Sequence, residues 1–284
     1  MNPMVDDVTS RWTYVPGPAL PGDWGGTLGG FSEDLGRPLR RLEVACPQLK
    51  LVIGFGTVYE LTPVGSRAPA GRHRAFAIGM AGGPMTAAHG AAQSCIELEL
   101  PPWAAHRLFG GDRQPLEAGV VDLADIWGRE ADLLVEALHE QPAWPQRFAI
   151  IRRFLARRLE GRGAPLRPEL RWAWEQLAQQ QGRLPVRALQ QRLGWSERHF
   201  TTSFAAAVGL GPKAAARRLR FGQVCRLMTD EPDSAIADLA AVCGYSDQSH
   251  LTREFREFAG CAPAAYMRAG IAGALGKPAE LLDA

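Results

Sequence analysis

The sequence predicts an α+β protein of two domains. A β-rich first part of barrel or sandwich type is followed by two helices. An all-α second part follows, with two helix-turn-helix units joined by a long helix. Three observations predict this. The chain has 284 residues, enough for two separate cores. Short apolar runs broken by Gly and Pro fill residues 1–121, and helical periodicity replaces them from Asp122. A Gly-aromatic-Ser turn between two amphipathic stretches occurs twice, at Gly194 and Gly244.

Residues 1–121 form the expected β-rich domain. Trp12–Gly36 is dense in Pro and Gly and reads as turns and loops with room for one edge strand. Strand-like runs follow at Leu39–Ala45, Leu49–Phe55, Val58–Pro63, Ala75–Met80 and Ser94–Leu100. In the last, Ile96, Leu98 and Leu100 alternate with Glu97 and Glu99, the pattern of a half-buried antiparallel strand. Turn residues at short intervals argue for a small sandwich or barrel. Trp24, Phe31, Phe55, Tyr59, Phe76 and Trp103 are candidates for a pocket lining, against the plainer reading that they are core.

Little here points to catalysis. His73, His89 and His106 are far apart, with no HxH or HExxH spacing to place two imidazoles on one metal. No GxSxG elbow is present. The GxG at Gly54 lacks the third glycine of a dinucleotide fingerprint, and reads as a strand-end turn. Neither a metal nor a cofactor is expected. Cys46, Cys95, Cys225, Cys243 and Cys261 show no CxxC pairing and read as free thiols of a reducing compartment.

The helical segment 122–160 comes next. One stripe contains Leu123, Ile126, Trp127, Leu133, Leu134 and Leu138, with its first turns uncertain at Gly128. Pro142 and Pro145 end it. A second helix, Gln146–Glu160, sets Phe148, Ile151, Leu155 and Leu159 against Arg152, Arg153, Arg157 and Arg158. This pair is a candidate for dimerisation. Residues 161–168 have the Gly and Pro content of a linker.

Residues 169–270 carry the paired units. Glu169–Gln181 is a helix; Pro185–Arg192 and Glu197–Val208 flank the first turn, with Ser196 as N-cap. Pro212–Thr229 is the long joining helix. In the second unit Ile236, Leu239, Ala240 and Val242 line a short helix, Gly244 breaks it, and Ser246 is read as the N-cap of a helix starting at Asp247. Leu251, Phe255 and Phe258 form its apolar stripe. The second helix of such a unit is the one that enters the major groove. Residues 165–270 carry 14 Lys and Arg against 10 Asp and Glu, while residues 1–164 carry 17 against 18. The positive excess lies where phosphate binding would need it. Residues 271–284 are read as a tail of uncertain order.

The second unit resembles the DNA-binding domain of the AraC/XylS family of bacterial transcription regulators. The resemblance covers about 100 residues and rests on Ile236, Leu239, Ala240, Gly244, Tyr245, Leu251, Arg253, Phe255, Gly260, Pro263 and Tyr266. In the first unit Leu189, Leu193, Ser196, Phe200, Phe204, Gly209, Pro212 and Arg220 also fit. Ala215 and Thr202 depart from the family pattern, at positions where Tyr and Arg are usual. The resemblance implies base contacts from Arg198, Thr201 and Thr202 in the first unit. In the second it implies Ser249, His250 and Arg253, with Gln248 beside them. Arg suits guanine, Gln suits adenine, and Ser or Thr can serve base or phosphate.

The first half is more loosely similar to the cupin-like sensor halves of such regulators, here without a metal site. The implied protein is a cytoplasmic, non-enzymatic regulator of double-stranded promoter DNA, controlled by a small-molecule effector. RNA polymerase is a further partner if it activates, and a homodimer is an allowed state. Two alternatives remain. One is a constitutive regulator whose β domain is a dimerisation scaffold. The other is a fusion to a Cys-dependent DNA-repair module, which would depend on Cys46 and Cys95. No apolar run approaches the roughly 20 residues of a membrane span, and MNPMVDDVTS has no secretory core.

Overall fold

The computed structural model describes residues 11–20, 25–67, 69–110, 119–159, 166–269 and 276–283. Trp24, the first five linker residues (161–165) and residues 271–275 of the tail lie outside them. The first half opens with β1 (Arg11–Pro16), β2 (Thr27–Asp34), β3 (Leu39–Glu43), β4 (Leu49–Gly54) and β5 (Tyr59–Pro63). Then come β6 (Gly71–His73), β7 (Ala75–Ile78), β8 (Met85–His89) and β9 (Ala92–Leu100). Helix α1 (Pro102–Leu108) and β10 (Val120–Asp122) complete it. One antiparallel sheet runs β1-β2-β9-β4-β7-β10. The other runs β3-β8-β5-β6, with a late strand, β11 (Lys277–Pro278), added beside β3. The sheets remain two and do not close, so the sandwich alternative is the one found and the barrel is not.

Two expectations for this half need correction. The Gly- and Pro-rich stretch before Gly36 is not loop with one edge strand: it contains β1 and β2, and β2 lies between β1 and β9. β9 is half-buried as its alternation predicts, with Ile96, Leu98 and Leu100 buried and Glu97 and Glu99 of intermediate exposure. Ile96 and Leu98 point to the helices, while Glu97 meets Lys50 at 3.1 Å on the side facing the other sheet. The candidate pocket aromatics Phe31, Tyr59 and Phe76 fill the core between the sheets, and Phe55 belongs to the core under the helices. That inter-sheet region also holds charge. Buried Glu33 takes His89 Nε2 at 2.7 Å and Arg41 Nη1 at 3.4 Å, because a buried carboxylate without such partners is strongly disfavoured.

The helical segment contains three helices, not two: α2 (Leu123–Trp127), α3 (Arg129–Glu140) and α4 (Trp144–Leu159). Gly128, at φ 57°, separates the first two. Pro145 falls in the first turn of α4 rather than ending the segment, where its missing N–H is harmless. Trp127, Leu134, Leu138, Ile151 and Leu155 pack on the outer face of the six-stranded sheet.

The second half has α5 (Pro168–Gln179), α6 (Val186–Leu193), α7 (Glu197–Val208), α8 (Pro212–Asp230), α9 (Ile236–Val242), α10 (Gln248–Ala259) and α11 (Pro263–Arg268). Val242 proves to be off the apolar stripe of α9, at 55% exposure.

The two halves touch at both helix-turn-helix units. Met80 and Trp103 pack into the core of the first. Leu42 and Ala45 pack into the core of the second, and the Ala45 N–H donates to the Phe258 carbonyl at 2.9 Å. Between them Pro47 lies against Gly222 of α8, so close that a Cβ there would sit 3.0 Å from the proline ring. Arg218 of α8 is buried at this junction and donates to the Ala81 carbonyl at 3.3 Å. The described end of the tail is ordered rather than loose: β11 pairs with β3, and Leu281 and Leu282 pack on the core of the second unit.

Candidate nucleic-acid interface

Each unit is built so that one helix turns a polar face outward. In the first, Gly194 ends α6 in the left-handed conformation at φ 66°, which a glycine adopts without strain. The Ser196 hydroxyl then accepts from the His199 N–H at 3.2 Å and starts α7, as expected of an N-cap. Phe200, Phe204, Ala207 and Val208 bury one side of α7 against α5, α6 and α8. Arg198, Thr201 and Thr202, spaced i, i+3, i+4, share an exposed face.

In the second unit the cap differs from expectation. Asp247, not Ser246, is the N-cap of α10, which starts at Gln248. Its Oδ1 accepts from the His250 N–H at 2.7 Å, and its Oδ2 from the Ser246 hydroxyl at 3.1 Å. A carboxylate is the stronger acceptor and also suits the positive end of a helix. These bonds, the His250 N–H foremost, hold the Asp247 carboxyl below its ordinary value of 3.8. Gln248, Ser249 and Arg253 are exposed. His250 is less so: its Nδ1 lies 3.1 Å from the Ser246 hydroxyl and its ring meets Tyr245 edge to face.

Two features escaped the sequence reading. The first is a cleft of about 690 Å³ between α6, α7 and the start of α8. Thr201 lines it, and so do Arg187 and Lys213, two exposed cations with no ion-pair partner among the described residues. Cations at helix starts beside a recognition helix are suited to phosphate oxygens. The second is Glu254, which is 4% exposed in the middle of α10. It accepts from Tyr245 Oη at 2.9 Å and from Arg217 Nε at 2.7 Å. Its position was legible: residue 254 falls three after Leu251 and four before Phe258, on the apolar stripe. A charge at such a position needs partners.

The cysteines have the opposite character to a reactive centre. Burial pushes the Cys46 thiol up to about 11 and the Cys95 thiol up to about 12. Both are neutral thiols near pH 7, whereas an activated nucleophile has a lowered value. Among the described residues no group of three or more His, Cys, Asp and Glu side chains could hold a metal ion. No helix there is long and apolar enough to cross a membrane.

Residues 189–269, which span both turns, match the helix-turn-helix domain family. They form an AraC-type DNA-binding domain. That match covers 81 of the 284 residues and makes this part of the chain a DNA-binding one. Comparison with curated proteins gives no match. Among solved structures the chain is similar to ToxT from Vibrio cholerae, at 9% identity over 85% of this chain and 97% of that one, with a TM-score of 0.49. It is also similar to unsaturated fatty acid bound ToxT from Vibrio cholerae strain SCE256, at 12% identity over 93% and 97%, with a TM-score of 0.47. The C-terminal domain of AraT, a response regulator from Geobacillus stearothermophilus, is 19% identical over 39% of this chain and 94% of that one, with a TM-score of 0.35. Likenesses this distant carry no argument about ligands, and the assignment rests on the sequence match.

Proposed function

We propose that the protein reads promoter DNA with α7 and α10 together, and that its N-terminal half biases this reading in response to a small molecule. Base contacts come from Arg198, Thr201 and Thr202 on α7 and from Gln248, Ser249 and Arg253 on α10. His250, turned toward Ser246, serves a phosphate or the helix itself. Arg187 and Lys213 supply phosphate contacts. The observation that carries the regulatory part is the junction: the N-terminal half packs on both units and on the helix between them. A ligand that binds one arrangement of that junction better than another shifts DNA affinity, and a ligand without such a difference shifts nothing.

The test is selection from a random duplex library by the full chain at low salt. Enrichment of one motif is expected. Arg198→Ala and Arg253→Ala should each relax the preference at a different position, costing about 1–3 kcal/mol for the base concerned. Failure to enrich any motif would overturn the proposal. Gly222→Leu tests the junction, because its side chain wedges against Pro47 while α8 keeps its helical register. DNA affinity should change although no DNA-facing residue has been altered, and an unchanged affinity would remove the junction from the account.

One observation favours self-association as well. Leu133 on α3 is 49% exposed in a groove of about 540 Å³ between α3 and α4. The exposed face of α3 carries Asp132, Glu136 and Glu140, and that of α4 carries Arg152, Arg153 and Arg157. Two copies packed antiparallel would match acid to base over that groove. Sedimentation of the wild type and of Leu133→Asp checks this, with a dimer expected for the first and a monomer for the second. A monomeric wild type would end it.

A further inference from the structure

We infer that Glu254 is a positioning residue that locks the second recognition helix to the first unit, and so sets the spacing between the two DNA half-sites the protein accepts. The inference rests on the reading of both units as DNA readers.

The lock can be followed atom by atom. Glu254 is buried on α10. Its Oε1 accepts from Tyr245 Oη at 2.9 Å, which ties α10 to the turn that precedes it. Its Oε2 accepts from Arg217 Nε at 2.7 Å and lies 3.9 Å from Arg220 Nη2, which ties α10 to the connecting helix α8. Arg217 Nη2 also donates to Glu257 Oε2 at 2.5 Å, one turn further along α10. Arg220 then reaches the other way. Its Nη1 donates to the Gly182 carbonyl at 3.1 Å, in the turn that leads into the first unit. The next residue, Arg183, donates from Nη1 to the Val242 carbonyl at 3.4 Å, and its stem lies against Gly244. The leading turn of the first unit therefore touches the central turn of the second directly, and reaches it again through Arg220 and Glu254.

An apolar side chain at 254 would fill the same space, since its neighbours Leu251, Phe255 and Phe258 are core. What the carboxylate adds is direction. A buried carboxylate is strongly disfavoured unless its partners stay in place, so α10 cannot slide or roll on α8 without losing them. Buried charges used this way specify one register rather than adding stability. On DNA, moving a half-site by one base pair turns it by about 35° around the axis. A rigid pair of recognition helices accepts one spacing, and a loosened pair accepts several.

The experiment uses the full chain and the motif it selects from a random duplex library. Duplexes with one base pair added or removed between the half-sites are compared with the parent. For the wild type each change should cost about tenfold or more, because simultaneous engagement fails when geometry forbids it. Glu254→Leu should bind the isolated second half-site as the wild type does, and lose most of the spacing penalty. Glu254→Gln, which can still accept from Tyr245, should lie between them. Tyr245→Phe is the second probe and decides the matter if Glu254→Leu does not fold. A structural role alone lowers affinity equally at every spacing. Wild-type spacing penalties in folded Glu254→Leu, or in Tyr245→Phe where the leucine variant does not fold, would overturn the inference while leaving the DNA-reading function intact. If the wild type selects no motif, the proposed function itself fails and this inference goes with it.

Discussion

In the first helix-turn-helix unit, α7 is held from behind by Phe200 and Phe204, whose rings meet each other, and by the N-terminal half through Met80 and Trp103. In the second, α10 is held by Phe255 and Phe258 together with a buried carboxylate, two guanidinium groups and a tyrosine hydroxyl. The caps differ in the same sense: a neutral Ser196 in the first and a charged Asp247 in the second. One supersecondary unit is thus built by two means in one chain. Apolar packing tolerates small shifts of the helix, whereas hydrogen-bonded charges at low dielectric resist them. The N-terminal half packs on both units, through Met80 and Trp103 on the first and Leu42 and Ala45 on the second, so what sets the second apart is its buried charge network.

The comparison can be broken at its strongest point with Phe204→Ala. This ring is fully buried in the first unit, and its loss should cost about 3–5 kcal/mol in urea unfolding. A loss below about 1 kcal/mol would mean that packing does not hold this unit. Glu254→Ala comes next. It leaves the buried Tyr245 hydroxyl without its acceptor, an effect of about 1–3 kcal/mol. The value should fall toward the lower end, because Arg217 is partly exposed and can hydrate. A neutral result would erase the contrast between the units.

The smallest effect separates the caps. Ser196→Ala should cost about 1 kcal/mol at any pH between 3 and 7, since a hydroxyl does not titrate there. Asp247 behaves differently. Its carboxyl is held below its ordinary 3.8 in the folded state, so the stability it contributes is full above that value. It is lost as pH falls through the lower, folded value. Amide exchange at His250 should therefore lose protection in strong acid before exchange at His199 does. The same acid response at both would refute the distinction.

Much of the C-terminal half was legible, because its signals are local. Period, Gly turn and Ser cap recur within a dozen residues, and the exposed faces at Arg198 and Arg253 follow from spacing alone. The exceptions are instructive. Ser246 and Asp247 are both good caps, and only backbone geometry chooses between them. Glu254 stood on the apolar stripe, but its partners Arg217 and Arg220 lie more than 30 residues earlier on another helix. In the first half, β2 was hidden by its own glycines. Gly30 leaves room for the Trp144 ring, whose atoms lie where a Cβ would stand. A strand glycine that makes room for a ring more than 100 residues away looks, in sequence, like a turn. The pairing of Lys277–Pro278 with β3 is likewise a long-range match that two residues cannot announce.

The two units are proposed to read DNA together. The most direct measurement is a hydroxyl-radical footprint of the full chain on its selected duplex, repeated with Arg198→Ala and Arg253→Ala. Two protected stretches are expected, their centres about one helical turn apart, with each variant weakening a different one. A single protected stretch that ignores Arg198→Ala would contradict the joint reading.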